Sequence, residues 1–122
     1  MEKILFLLGA GEPSYSSAKS LAYGFRSLKY EVHTMGPGYW GRYEADTLLP
    51  DRPHIEYYSP EEILERAPWQ PSIIINCDPH AFIQGKCPLD IPVVFVGTDP
   101  HRAGILYRKV LSQGGYTHFF CG

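Results

Sequence analysis

Two periods of apolar residues alternate along this chain. Lys3 to Leu8 is a short apolar run ending on Gly9, and unbroken apolar stretches recur at Ile73-Ile74-Ile75-Asn76-Cys77 and Val93-Val94-Phe95-Val96. Runs without polar alternation are typical of parallel strands covered on both faces, so the last two are expected to be central. Tyr30 to Met35, His54 to Tyr58 and Thr117 to Cys121 add further strand-like segments. Between the first two runs, Ala18, Leu21, Ala22, Phe25 and Leu28 share one helical face, with Ser16 or Ser17 as the expected N-cap. Ser59-Pro60-Glu61-Glu62 supplies a cap residue, a proline at the first helical position and an acid at the capping-box position, which predicts a short helix to about Ala67. Ala103, Leu106, Val110 and Leu111 mark one side of a last helix that ends at Gly114-Gly115.

Strands alternating with helices predict one α/β domain over residues 1–122. The expected architecture is a Rossmann-like open, mostly parallel five-stranded sheet in the order 3-2-1-4-5, with helices on both faces and His54–Tyr58 as the third strand. Ligands of such sheets bind outside the carboxyl ends of the strands, at the point where the strand order reverses. That rim would be assembled from Gly9 to Ser16, Asp78 to Gly85 and Gly97 to Arg102. The segment Gly36 to Pro53, with its Gly-Pro-Gly turn and Trp40, has no regular pattern; loops this long in a small domain are usually functional or mobile.

Composition narrows the classes of partner. With 122 residues and 44% hydrophobic content the chain can bury one core, and a second domain is not expected. A formal charge of -2, with acids and bases interleaved, leaves no electropositive face for nucleic acid or an anionic membrane. The three cysteines, Cys77, Cys87 and Cys121, show no CxxC spacing and read as reduced thiols, which suits the cytoplasm. The apolar stretch from Ile4 to Leu8 is too short for a signal peptide or a transmembrane segment.

Several motifs fall on the predicted rim. Gly9-Ala10-Gly11, with Glu12 and Ser16 beyond it, follows a strand and precedes a helix, where backbone can approach a phosphate or a sugar. The dinucleotide fingerprint is incomplete: Ser14 stands at the third glycine position, and the second strand ends in His33-Thr34-Met35 without a ribose-binding acid. A Walker A sequence is absent. Asp78-Pro79-His80 and Asp99-Pro100-His101 repeat one tripeptide at the ends of two strands. Three readings stand side by side. Each Asp caps a helical turn with Pro in its first position; or His80 and His101 face the cleft as ligand donors or acid/base groups, with Arg102 binding an anion; or the four side chains form a metal site, for which no HxH or HExxH spacing speaks. Tyr15, Tyr39, Trp40, Tyr43, Tyr57 and Tyr58 are aromatic residues near predicted loops, where Tyr39 and Trp40 are candidates for ligand stacking. Cys77 and Cys121 are better placed as small core residues than as nucleophiles.

Lys3-Ile-Leu-Phe-Leu-Leu-Gly9, Ala18-Lys-Ser-Leu-Ala22 and Leu28-Lys-Tyr-Glu-Val-His33 resemble the opening of the N-terminal domain of GT-B glycosyltransferases. Pro92-Val-Val-Phe-Val-Gly-Thr-Asp99-Pro-His101 followed by Thr117-His-Phe-Phe-Cys121 is similar to the strand, Asp-x-His and next-strand pattern of the CgeB-type (spore maturation) members. The resemblance implies an acceptor-binding half-enzyme for a small-molecule or glycan acceptor, in which His80, Asp99 or His101 supplies the general base. It implies no cofactor in this chain, the nucleotide-sugar donor being held by a separate C-terminal domain, without which no sugar is transferred. The rival reading is a stand-alone, non-catalytic α/β module that binds a small ligand or a protein. One departure from the family is Lys29 in place of its usual glycine, where a left-handed backbone would strain lysine by roughly 1 kcal/mol.

Overall fold

In the computed structural model, residues 2–8, 12–36, 45–50, 56–77, 81–97, 108, 112 and 115–121 are described. Their elements are β1 (Lys3–Leu8), α1 (Glu12–Ser27), β2 (Glu31–Gly36), β3 (Thr47–Leu48), β4 (Glu56–Tyr58), α2 (Pro60–Arg66), β5 (Ile73–Cys77), β6 (Ala81–Ile83), β7 (Val93–Gly97) and β8 (His118–Cys121). The fold is α/β, with a six-stranded sheet in the order β3-β2-β1-β5-β7-β8 and a separate pair, β4-β6. Every pairing among them is parallel.

Two corrections to the expected sheet follow. It has six strands rather than five, and its order numbered along the whole chain is 3-2-1-5-7-8 rather than 3-2-1-4-5. The expected third strand exists as β4 but pairs with β6 through Glu56↔Ala81, Tyr57↔Phe82 and Tyr58↔Ile83, away from the main sheet. Its place beside β2 is taken by β3, where Met35↔Thr47 and Gly36↔Leu48 are in register. β3 is held by tertiary bonds more than by propensity: the Leu49 amide donates to the Gly36 carbonyl at 2.8 Å, and Asp46 and Thr34 exchange side-chain-to-backbone bonds, each 2.9 Å. β6 falls within the expected rim segment Asp78 to Gly85, yet Ala81, Phe82 and Ile83 are all buried and belong to the core.

The alternation of the central strands divides the core in two. Ile4, Phe6, Ile75, Cys77 and Val94 face Ala22 and Phe25 of α1. Leu5, Leu7, Ile74 and Val93 face the opposite way, onto Ile63 of α2, Tyr58 of β4 and Ala81 and Ile83 of β6. The small sheet thus covers part of the face opposite α1. Phe82 and Phe95 stack at 5.8 Å and join the two sheets.

α1 begins at Glu12, so Ser16 and Ser17 lie inside the helix and neither is its N-cap. Pro13 is tolerated there because a first-turn N–H has no intrahelical acceptor. The helix ends in a Schellman turn: the Tyr30 amide donates to Phe25 O at 3.1 Å, the Lys29 amide to Arg26 O at 3.0 Å, and Lys29 adopts a positive φ of 72°. Tyr30 packs edge-on against Phe25 at 5.6 Å, the apolar contact that accompanies this motif. Of the expected sheet-facing stripe, Ala22 and Phe25 pack inward while Leu21 and Leu28 are exposed. Leu21 is rotated about 100° from Ala22 around the helix, and Leu28 already belongs to the turn. Ala18 lies outside the residues whose side chains are described.

α2 matches its sequence signature. Ser59 Oγ accepts the Glu62 amide at 3.1 Å, Pro60 opens the helix and Ala67 closes it. Most of the expected last helix, including Ala103, Leu106, Val110 and Leu111, lies outside the described residues; Arg108 and Ser112 are helical. Among the described residues no helix is long and apolar enough to cross a membrane.

Candidate functional site

The register of the parallel strands decides which chain segments leave the sheet together. Leu8 of β1 is paired with Cys77 of β5, and Cys77 in turn pairs with Val96 of β7. The glycine-bearing segment 9–11 and the first Asp-Pro-His tripeptide therefore depart from paired residues on neighbouring strands. The segment that carries the second tripeptide departs from Gly97, one residue beyond Val96, and Gly97 pairs with Cys121 of β8. Numbered among themselves, the main-sheet strands follow the order 3-2-1-4-5-6, and the order reverses between β1 and β5. The first two departures flank the reversal point, and the third leaves from the next strand, β7. α1 begins three residues after Gly9, so its N-terminus adjoins the same edge.

A buried polar group lies directly beneath this edge. Asn76 is fully buried on β5 within an otherwise apolar run. Its Nδ2 donates to the Ala81 carbonyl at 2.9 Å and to the Leu7 carbonyl at 3.4 Å, and its Oδ1 accepts from the Tyr116 hydroxyl. That hydroxyl also accepts from the Ile83 amide at 2.8 Å. The bond from Asn76 to Ala81 ties β5 to the first residue of β6. Tyr116 ties β6 to the segment entering β8. Next to it, Gly115 sits so close to β6 that a Cβ there would lie 2.7 Å from the Gly85 carbonyl oxygen. Asn76 was detectable in the sequence as the one polar residue of its run; Tyr116 carried no such signal.

A second polar cluster sits at the β2–β3 edge. His33 Nε2 is 2.7 Å from Thr47 Oγ1, and its Nδ1 is 3.9 Å from Asp46 Oδ2. The same carboxylate oxygen accepts from the Thr34 amide at 2.9 Å and from Arg26 at 3.3 Å. Burial lowers the His33 pKa, Asp46 opposes that effect and Arg26 adds to it. This aspartate lies beside a strand whose own end carries no acid, but it enters from residue 46 and is engaged by Thr34 and Arg26.

Of the residues singled out from sequence, Glu12 opens α1 and Ser16 lies one turn further on, their side chains being outside what is described. Gly9, Ala10, Gly11, Tyr39, Trp40, Asp78, His80, Asp99, His101 and Arg102 lie outside the described residues. The strand ends nevertheless bear on one of the competing readings. β6 begins at Ala81, immediately after His80, so no helix follows the first tripeptide for Asp78 to cap. Arg108, seven residues beyond His101, is helical. Tyr57 and Tyr58 serve packing: Tyr58 is fully buried with its hydroxyl on the Pro50 carbonyl at 2.8 Å, and Tyr57 packs against Phe82 at 5.9 Å. Cys77 is buried among the apolar residues facing α1, as expected of a core cysteine. Among the described residues, no group of three or more His, Cys, Asp and Glu side chains is placed to hold a metal. No protein-family model, no curated protein and no solved structure matches the chain.

Proposed function

We propose that this chain is the acceptor-binding, N-terminal half of a GT-B-like glycosyltransferase, with the acceptor seated outside the carboxyl ends of β1, β5 and β7. The observation that supports it most is the pairing Leu8↔Cys77 at the reversal point of a wholly parallel sheet. The segments that carry the glycines and the first Asp-Pro-His tripeptide thus begin from paired residues, at the edge where α/β sheets bind ligands.

In this reading Gly9, Ala10 and Gly11 let the acceptor approach backbone, and Glu12, Ser16 and Asp78 offer hydrogen bonds to its hydroxyls. Tyr39 and Trp40 give apolar faces on which a sugar ring stacks. His80, Asp99 or His101 takes the proton from the attacking hydroxyl, and Arg102 meets an anionic group of the acceptor. Histidine suits the task because its ordinary pKa lies near neutrality. A C-terminal domain supplies the nucleotide-sugar donor and the groups that stabilise its departing diphosphate. The test is saturation-transfer NMR with a panel of neutral mono- and oligosaccharides on the wild-type chain, His80→Ala and His101→Ala. At least one sugar should bind the wild type and lose about tenfold or more in affinity in a variant that unfolds at the same urea concentration. Equal binding by all three proteins, or no binding sugar, would contradict it.

The rival is a non-catalytic binding module whose Asp-Pro corners are only caps. Ser59-Pro60 favours it, since in this chain a polar residue followed by proline does start α2. The strand that directly follows His80 weighs against it for the first corner.

A further inference from the structure

We propose that the joint between β2 and β3 is a pH-sensitive element, in which protonation of His33 loosens the short edge strand β3. β3 is two residues long and, among the described residues, pairs in the sheet with β2 alone. Its attachment depends on a few bonds around His33: Nε2 to Thr47 Oγ1 at 2.7 Å, Asp46 to Thr34 in both directions at 2.9 Å, and the Leu49 amide on Gly36 O at 2.8 Å.

The charged groups around the imidazole fix its neutral form. Asp46 Oδ2 lies 3.9 Å from Nδ1, so a hydrogen on Nδ1 faces the carboxylate favourably, whereas a lone pair there would face it unfavourably. Nε2 is then the acceptor and the Thr47 hydroxyl the donor. Protonation puts a hydrogen on Nε2, and Thr47 keeps the contact only by rotating its hydroxyl away and accepting instead. Arg26 of α1, paired with Asp46 at 3.3 Å, repels the new charge and shares the carboxylate that would balance it. Trp69 stands edge-on to the imidazole at 6.1 Å, and the Lys3 amine lies 5.8 Å from the centre of that indole. With four-fifths of the His33 side chain covered, water is poorly placed to compensate.

Amide hydrogen exchange tests this on the whole chain. Protection of the Asp46 and Leu49 amides, corrected for intrinsic exchange, should fall at least about twofold between about pH 7.5 and pH 5, while the Ile75 amide in the central sheet falls less. In His33→Gln, which keeps a polar partner for Thr47 but does not titrate there, the two edge amides should keep constant protection. A flat profile in the wild type, or the same fall in His33→Gln, would overturn the proposal. Independently of how that variant folds, the His33 ring observed by NMR should titrate below its ordinary value in the wild type, and lower still in Asp46→Asn. Titration at or above the ordinary value would overturn it equally.

Discussion

Lys29 has a positive φ because the Schellman turn needs a left-handed residue between Leu28 and Tyr30, and the Phe25–Tyr30 contact holds the turn in place. A side chain with a Cβ costs about 1–2 kcal/mol in that conformation, and glycine's extra unfolded-state freedom offsets roughly 0.5–1 kcal/mol of the gain from replacing it. Lys29→Gly should therefore stabilise the protein by about 0.5–1 kcal/mol, read as a higher urea midpoint with an unchanged slope. The Tyr116 hydroxyl works in the opposite direction. It satisfies the Ile83 amide and the buried Asn76 Oδ1 together. Tyr116→Phe should cost about 1–3 kcal/mol in urea unfolding, the range expected when buried polar groups lose their partner.

At the scale of elements, the small sheet is the feature that most distinguishes this fold. β6 leaves β5 after three residues and is wedged between Asn76, the Phe82–Phe95 stack and Gly115. Gly115→Ala would place its methyl group 2.7 Å from the carbonyl oxygen of Gly85, where backbone rather than a flexible side chain has to shift. A loss of about 1–3 kcal/mol is expected, with the amide shifts of β6 changing more than those of β1. The β2–β3 edge carries a pH dependence of known sign. Because the His33 pKa is lowered in the folded chain, the unfolded state takes up its proton first as pH falls through 6.5. Stability is complete above that value, declines below it and levels off once the folded state is protonated as well. In His33→Gln this part of the slope in a pH series of urea midpoints should vanish; a slope as steep as that of the wild type would assign it elsewhere.

These elements differ in how readily they can be read from sequence. β1, β5 and β7 are runs whose apolar content requires burial on both faces, and α2 has its cap, proline and acid in order, so local chemistry suffices for each. β3 and β6 are two and three residues long and carry no period; partners outside each strand hold them, Thr34 and Gly36 for one and Asn76 and Tyr116 for the other. β4 was recognisable as a strand, but its partner was not, because β6 was hidden in a segment read as rim. The start of α1 is not legible from Ser16 and Ser17, the residues that resemble an N-cap, because the helix begins at Glu12 with a first-turn proline.

For the whole molecule, the strand order of the parallel sheet marks the edge at which we propose that the acceptor binds, before any side chain is considered. The order reverses between β1 and β5, and the chain segments with the glycines and both Asp-Pro-His tripeptides leave from Leu8, Cys77 and Gly97. The edge was legible from the alternation of strands and helices, and the structure adds the buried Asn76 beneath it and rules out a helix directly after His80. The most direct measurement is an amide chemical-shift map of the isotope-labelled chain titrated with its best-binding sugar from the saccharide panel. Binding at the proposed site should move the Leu8, Cys77 and Gly97 amides together, in the same concentration range. Shifts confined to the opposite ends of the strands, at Lys3, Ile73 and Val93, or to the exposed edge of β8, would contradict the account.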